Sequence, residues 1–213
     1  MAEWLDPLLV VSMLLNFVAL GSSRLRSVIR VVALQGALLG VMLLIVHSGP
    51  GVRTSLVAAA VIVLKGGVIP RMLAHAIREV NIRREIEPIV GFTASLLLGA
   101  IGTALALVFA RTLPLAKEHM ATMLVPASLA TVWTGFLILA TRAKAISQVL
   151  GYLVLENGIF IFGVLLYEAM PLLVEAGVLL DLFVCIFVMG IIVHRINREF
   201  STVNTQLLSR LKD

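Results

Sequence analysis

Long apolar runs separated by short basic clusters organise this chain. Seven runs approach the about 20 residues that a helix needs to cross a hydrocarbon core of roughly 30 Å. The run at Trp4 is short, which leaves six spans as the alternative count, and the run at Val52 can be read as two pieces. The pattern predicts an all-α, polytopic membrane protein with about seven transmembrane helices, formed by the runs Trp4–Leu20, Val28–Val46, Val52–Ala74, Ile89–Ala110, Met120–Ala140, Ala145–Leu166 and Leu172–Val193.

Composition supports this class and excludes others. Hydrophobic residues make up 60% of the 213 residues and charged residues 14%, whereas soluble domains carry roughly 25% charged residues. A soluble domain of this size could not bury so much apolar surface. The single cysteine, Cys185, lies in an apolar run, which leaves no disulfide framework and no cysteine-based metal motif.

Basic residues indicate the orientation. Of the 17 Lys and Arg residues, 13 lie in the connections after the first, third, fifth and seventh runs, and only Arg53, Arg111 and Lys117 lie on the opposite side. Cytoplasmic loops are enriched in Lys and Arg. We therefore expect a prokaryotic inner-membrane protein with its N-terminus outside and its C-terminus in the cytoplasm. This distribution explains the net charge without a nucleic-acid partner.

We expect the chain to form one integral membrane domain, residues 1–213. A weak internal similarity suggests that this domain contains two related units. Gln35 and Glu156 each precede a proline, Pro50 and Pro171, by 15 residues. This spacing favours two three-helix units, 1–78 and 120–200, joined by a helix at 89–110 and followed by a cytoplasmic tail, 200–213. Chance matches are common in so apolar a sequence, so an undivided bundle stays open.

Four polar residues fall near mid-depth of their runs: Gln35, Lys65, Glu156 and Asp181. A charge at the centre of a bilayer costs about 2.5–3.5 kcal/mol on insertion scales, so such residues usually face protein or a wet cavity. A buried carboxyl group whose proton affinity is raised can exchange protons near neutral pH. We interpret Glu156 as the strongest proton-translocation candidate, with a protonated packing carboxyl as the alternative.

A polar stripe precedes Glu156 on the same predicted helix. Lys144, Gln148, Tyr152 and Glu156 recur every four residues, which keeps them on one helix face over about 18 Å. The stripe predicts a wet path from the cytoplasmic face to mid-membrane.

Lys65 lies next to a predicted backbone irregularity. Pro70 cannot donate a hydrogen bond to the carbonyl of Gly66, and the paired Gly66 and Gly67 weaken the helix. Irregular backbone at membrane depth is tolerated where it is buried or lines water. The alternative is that Lys65 extends its ammonium group toward the cytoplasmic boundary near Arg71.

Three further residues complete the set of proton-translocation candidates. Asp181 has no basic residue on its own run, Glu175 lies nearer the outer surface, and His75 lies at the cytoplasmic end of the third run. The histidines lack metal-ligand spacing, so we predict no catalytic, metal-binding or cofactor-binding residue in this chain.

These residues carry a resemblance to a known family. Lys65–Pro70, Gly151–Gly158, Leu173–Asp181 and the tail Asn204–Lys212 resemble component E of hydrogenase-4 type, membrane-bound nickel–iron hydrogenases, which are related to respiratory complex I. The C-terminal half is also similar to the small three-helix membrane subunit of complex I. That subunit has two membrane glutamates; the first matches Glu156, and the second falls near Asp181 after a shorter intervening stretch.

The resemblance implies a non-catalytic membrane-arm subunit whose buried charges join a proton or sodium path coupled to electron transfer. Its implied partners are antiporter-like and heel-type membrane subunits, and peripheral-arm subunits that hold iron–sulfur clusters and a nickel–iron site. Membrane lipid surrounds the chain. Two other functions stay open: a subunit of a multisubunit cation/proton antiporter, and a purely structural membrane scaffold.

Overall fold

The computed structural model describes residues 2–46, 52–79, 89–113 and 123–166, together with single residues and pairs between Leu172 and His194. These ranges contain helices and connections but no β-strand. Six helical spans in them are long and apolar enough to cross a membrane, which confirms the all-α, polytopic class. The α-helices are α1 (Ala2–Gly21), α2 (Leu25–Val46), α3 (Val52–Val63), α4 (Ile69–Glu79), α5 (Phe92–Ala110), α6 (Leu124–Thr141) and α7 (Ala145–Leu166).

The seventh predicted run, Leu172–Val193, lies largely outside the described residues. Those described within it, among them Leu172, Leu182 and Met189, are helical. The predicted count of about seven is therefore close to the six spans of the described ranges.

Several helix ends differ from the apolar runs by a few residues. Helix α2 begins at Leu25 rather than Val28, and α5 begins at Phe92 rather than Ile89. At α5 the preceding Gly91 is extended, with φ −53° and ψ 153°. Hydropathy locates the apolar stretch, whereas backbone conformation at the cap decides where the helix starts.

The third span contains the predicted irregularity. A π-helical turn, Leu64–Val68, connects α3 to α4 without interrupting the span. At its end the N–H group of Ile69 donates to the carbonyl of Leu64, five residues back. Pro70 has no N–H group for the regular bond to Gly66. The turn places Lys65 at the irregular point of the helix, and π turns of this kind are frequent at functional sites.

Four helices form a closed ring in the order α1, α2, α7, α6. The third span packs against α2, and α5 packs against α1 and α6. Helices α6 and α7 have the most extensive contact. Gly135 and Gly158 permit this contact, because an added Cβ would lie 2.5 Å from Leu155 and 2.6 Å from the backbone nitrogen of Val132. Small residues allow such close approach between membrane helices.

Two buried apolar clusters lie one above the other along the ring. One contains the residues nearer the predicted cytoplasmic side, such as Leu20, Val28 and Leu150. The other contains residues such as Leu9 and Leu39. In every ring helix, the buried polar residues near mid-span occur where the chain passes from one cluster to the other.

Candidate functional site: a buried ion pair within a polar layer

We call the mid-span buried polar residues the polar layer. It combines two ionisable side chains with amides and hydroxyls from five of the spans. Every member exposes 4% or less of its surface: Ser12, Asn16, Gln35, Lys65, Ser128, Thr131, Thr134, Glu156 and Asn157.

An ion pair lies in this layer. Lys65 Nζ lies 2.9 Å from Glu156 Oε1, and each side chain is 4% exposed. The π turn positions Lys65 and α7 positions Glu156. The structure thus joins two of the charges that the sequence placed at mid-depth.

Two further contacts hold Lys65. Its Nζ lies 5.2 Å from the ring centroid of Phe160, within the range of a cation–π interaction. On the other side, a Cβ added to Gly36 would lie 2.6 Å from the Lys65 Cβ, so the π turn packs directly on α2. The alternative in which Lys65 extends toward Arg71 is therefore wrong, because its ammonium group lies buried at Glu156.

A chain of amides crosses the same layer. Gln35 Nε2 donates to Asn16 Oδ1 at 2.8 Å and to the carbonyl of Ser12 at 3.2 Å. Asn16 Nδ2 donates to Thr131 Oγ1 at 2.9 Å, and that hydroxyl donates to the carbonyl of Ala127 at 2.7 Å. The final carbonyl can only accept, so the direction of every bond in the chain is set. Gln35 Oε1 remains without a hydrogen-bond partner among the described residues.

The predicted stripe on α7 runs toward the ion pair. Gln148 is exposed, Lys144 and Tyr152 are half-buried, and Glu156 is buried. The amide of Gln148 donates to the carbonyl of Arg142 at 3.3 Å. The four side chains therefore pass from the residue before the start of α7 into the polar layer, and their role as a wet path stays a prediction.

The remaining candidates are His75, Asp181 and Glu175. His75 is exposed on α4. Asp181 and Glu175 lie outside the described residues. Within the described ranges, no group of three or more His, Cys, Asp or Glu side chains is arranged to hold a metal ion.

Arg142 has a structural role that sequence reasoning missed, because it was counted only as an orientation signal. Its side chain is 1% exposed, and its Nη2 donates to the carbonyl of Leu20 at 2.8 Å, near the end of α1. The guanidinium carbon lies 4.8 Å from the ring centroid of Phe92. Burial lowers the pKa of Arg142 from its ordinary value, although a guanidinium stays charged. A cation at a helix C-terminus is favourable, so Arg142 ties α1 to the starts of α5 and α7.

Asn16 and Thr131 were also missed. A signal for Asn16 was present, because it is the one amide in the first apolar run. Thr131 carried no comparable signal, since threonine is common in transmembrane helices and can bond within its own helix. Its contact with Asn16 joins residues far apart in the sequence.

Comparison with known proteins identifies the family of the chain. The chain is 35% identical over 193 residues to the uncharacterized protein Rv0085 of Mycobacterium tuberculosis, covering 89% of this chain and 87% of that protein. The chain belongs to the same family as Rv0085. No family model matches it, and no solved structure matches it.

A more distant relationship extends to hydrogenase-4 component E. The proteins of that name from Escherichia coli K12 and Shigella flexneri are 27% identical over 158 residues, which covers 73% of this chain and 72% of theirs. The described part of the chain contains six helices long and apolar enough to cross a membrane. This member of the Rv0085 family is therefore an integral membrane protein, distantly related to hydrogenase-4 component E.

Proposed function

We propose that this chain is a non-catalytic membrane-arm subunit of a complex I-like, membrane-bound hydrogenase. Its Lys65–Glu156 pair lies on a proton or sodium path that is coupled to electron transfer in other subunits. The observation that carries the proposal is the buried ion pair at a π turn in mid-span. The distant relationship to hydrogenase-4 component E supports it.

A contribution to stability does not by itself explain why the chain has a buried ion pair. Replacing a buried ion pair by apolar residues of similar volume is often neutral or stabilising. Ionisable residues inside a membrane commonly mark ion or proton pathways. Proton transfer to Glu156 would neutralise the carboxylate and weaken its attraction for the Lys65 ammonium group. The pair therefore supplies a site whose charge state and geometry change together.

The path would reach the cytoplasm along the Lys144–Gln148–Tyr152 stripe. Gln35 lies on α2 next to Gly36, and the π turn that carries Lys65 packs on Gly36. The Oε1 atom of Gln35 has no hydrogen-bond partner among the described residues, so it could accept a hydrogen bond from a water molecule. We place Asp181 and Glu175 on the continuation of the path and His75 at its cytoplasmic side.

Redox chemistry would belong to the partners. We propose antiporter-like and heel-type membrane subunits as neighbours, and peripheral-arm subunits that hold the iron–sulfur clusters and the nickel–iron site. Mass spectrometry of the complex purified through a tag on this chain tests this assignment. Antiporter-like partners without a hydrogenase large subunit would instead support a cation/proton antiporter.

Orientation is a separate part of the proposal. The basic residues put the N-terminus outside and the C-terminus in the cytoplasm of a prokaryotic inner membrane. In a Cys185→Ser background, an impermeant thiol reagent added outside should label Thr112→Cys but not Ser23→Cys. The reverse labelling pattern would contradict the proposed orientation.

The decisive experiment replaces Glu156. Glu156→Gln preserves the shape but removes the titrating proton, so ion transport per assembled complex should fall strongly while electron transfer to an artificial acceptor persists. Because the variant also leaves the buried Lys65 ammonium group without its counter-charge, complex yield should fall as well. Glu156→Asp should retain part of the transport. Proton uptake into vesicles, with complex yield on a native gel, measures both effects.

Asp6→Asn is the matched control. It makes the same chemical change in a carboxylate that accepts a bond from the Met123 N–H group at 2.9 Å on the exposed end of α1. Transport should stay near the unmodified level in this variant. Normal transport in an assembled Glu156→Gln complex would instead favour the scaffold function.

A further inference from the structure

An apolar groove lies between α5 and α6. Its volume is about 710 Å³. Leu105 and Phe109 line it from α5, Thr112 from the turn that follows, and Leu129, Trp133 and Phe136 from α6. We call it the α5–α6 groove. Phe109 and Phe136 are more than half exposed. Exposed apolar rings of this kind favour contact with a hydrocarbon partner.

The groove has one closed end. The Trp133 indole N–H donates to the carbonyl of Leu98 at 3.0 Å and so bridges the two helices. Gly102 makes room for it, because an added Cβ would lie 2.0 Å from the indole ring. Both residues lie near the middle of their helices. The groove therefore ends near mid-membrane and extends from there toward Thr112.

The length of the groove indicates which kind of ligand fits it. Ten residues separate Gly102 from Thr112, which corresponds to about 15 Å along a helix. This is half of the roughly 30 Å hydrocarbon core. A partner transmembrane helix would need a groove along the whole span, whereas a lipid acyl chain occupies one leaflet.

The positive charge of Arg111 at the open end of the groove indicates which lipid headgroup would bind there. Arg111 directly follows α5, at the level where the helix leaves the hydrocarbon, and it is exposed. It is one of only three basic residues on its predicted side of the membrane. An arginine at this level matches a phosphate in charge and geometry.

We propose that the α5–α6 groove is a binding site for an anionic phospholipid, with one acyl chain in the groove and the phosphate at Arg111. Trp133 sets the depth that the chain reaches. The site is independent of the ion path, since none of its residues belongs to the polar layer.

Photo-crosslinking tests the site in the complete complex or in the full chain. Phosphatidylglycerol and phosphatidylcholine, each with a diazirine at the end of the same acyl chain, are incorporated in parallel into vesicles that contain the protein. Peptide mass spectrometry should place crosslinks near Gly102 and Trp133, with a several-fold higher yield for phosphatidylglycerol.

Variants separate the two parts of the site. Arg111→Gln should lower the phosphatidylglycerol yield to that of phosphatidylcholine, whereas Arg111→Lys should preserve the preference. Arg24→Gln, which removes an exposed charge beyond the end of α1, is the matched control and should change neither yield. Ala106→Phe should fill the groove and abolish both yields, while Leu97→Phe, in the other half of α5, should not.

Two results would overturn the proposal. Equal yields for both headgroups that are insensitive to Arg111→Gln would show unselective lipid contact. Absence of crosslinks with either lipid in the assembled complex would show that a protein partner covers the groove. Neither result bears on transport by Glu156, so this proposal and the proposed function fail separately.

Discussion

The polar layer contains two connected sets of side chains that differ in one physical respect. Lys65 and Glu156 carry opposite charges and meet at 2.9 Å. Gln35, Asn16 and Thr131 are neutral and form a hydrogen-bonded chain of set direction. Both sets are almost completely buried and lie at the same depth. Depth and burial therefore do not distinguish a site that can change state from one that cannot.

Proton transfer is the difference. Protonation of Glu156 would remove one charge of the pair and change its interaction with Lys65. No member of the amide chain gains or loses a proton near neutral pH. We infer that the amide chain holds α1, α2 and α6 in register. Under the proposed function, the Glu156 carboxyl group of the ion pair is the group that takes up and releases the proton.

The largest effect should come from breaking the ion pair from the lysine side. Lys65→Met leaves a buried carboxylate without its counter-charge, which typically costs 3–5 kcal/mol. We expect a marked loss of thermal stability and of complex yield, measured on the purified assembly. The double variant Lys65→Met/Glu156→Gln removes both charges and should recover much of the stability without recovering transport. A double variant as unstable as the single one would contradict an electrostatic role for the pair.

A smaller effect should follow from removing the amide next to the pair. Gln35→Leu leaves Asn16 Oδ1 without its donor and removes the additional bond to the carbonyl of Ser12, at a cost of about 1–3 kcal/mol. Transport should decrease less than in Glu156→Gln, because an amide can hold water but has no proton to release. Vesicle uptake assays on both variants, at matched complex content, measure the difference. Equal losses would remove the distinction between the two sets.

The packing of the π turn on α2 gives a third test. In Gly36→Ala the new methyl group would lie 2.6 Å from the Lys65 Cβ, so the two segments must separate. Overpacking of this kind costs about 1–3 kcal/mol, and transport should fall with stability because Lys65 is displaced. Gly21→Ala is the control, since the nearest atoms to its methyl group would be those of the Leu96 side chain, at 3.4 Å or more. Thermal unfolding of both variants decides whether close contact at Gly36 is required.

The smallest effect is expected at the end of the amide chain. Thr131→Val preserves shape but removes the acceptor for Asn16 Nδ2, which should cost about 0.5–1.5 kcal/mol without changing transport. Thr103→Val is the comparison variant, because the Thr103 hydroxyl donates to the carbonyl of Gly99 in its own helix, at 2.8 Å. If Thr131→Val unfolds at the same temperature as Thr103→Val, the cross-helix bond contributes nothing measurable.

The sequence by itself determined the membrane class, the approximate spans and the irregular third span. Each of these follows from local properties: apolar length for the spans, and the missing N–H group of Pro70 with two adjacent glycines for the π turn. The sequence also identified Lys65 and Glu156 as candidates, because the cost of a charge at mid-membrane depends on depth along one helix. The role of Asn16, by contrast, is evident only from its hydrogen bonds to α2 and α6.

Only the tertiary structure decided which candidates meet. Lys65 and Glu156 lie on different spans, and their contact depends on Gly36 allowing the π turn to approach α2, together with the contact between α2 and α7. Arg142 likewise resembled the other basic residues at the cytoplasmic side, yet it is buried against Leu20 and Phe92 while Arg24 is exposed. Hydropathy and charge count are properties of a segment, whereas pairing depends on which faces of separate helices pack together. Those faces are set by small residues and hydrogen bonds between segments far apart in the chain.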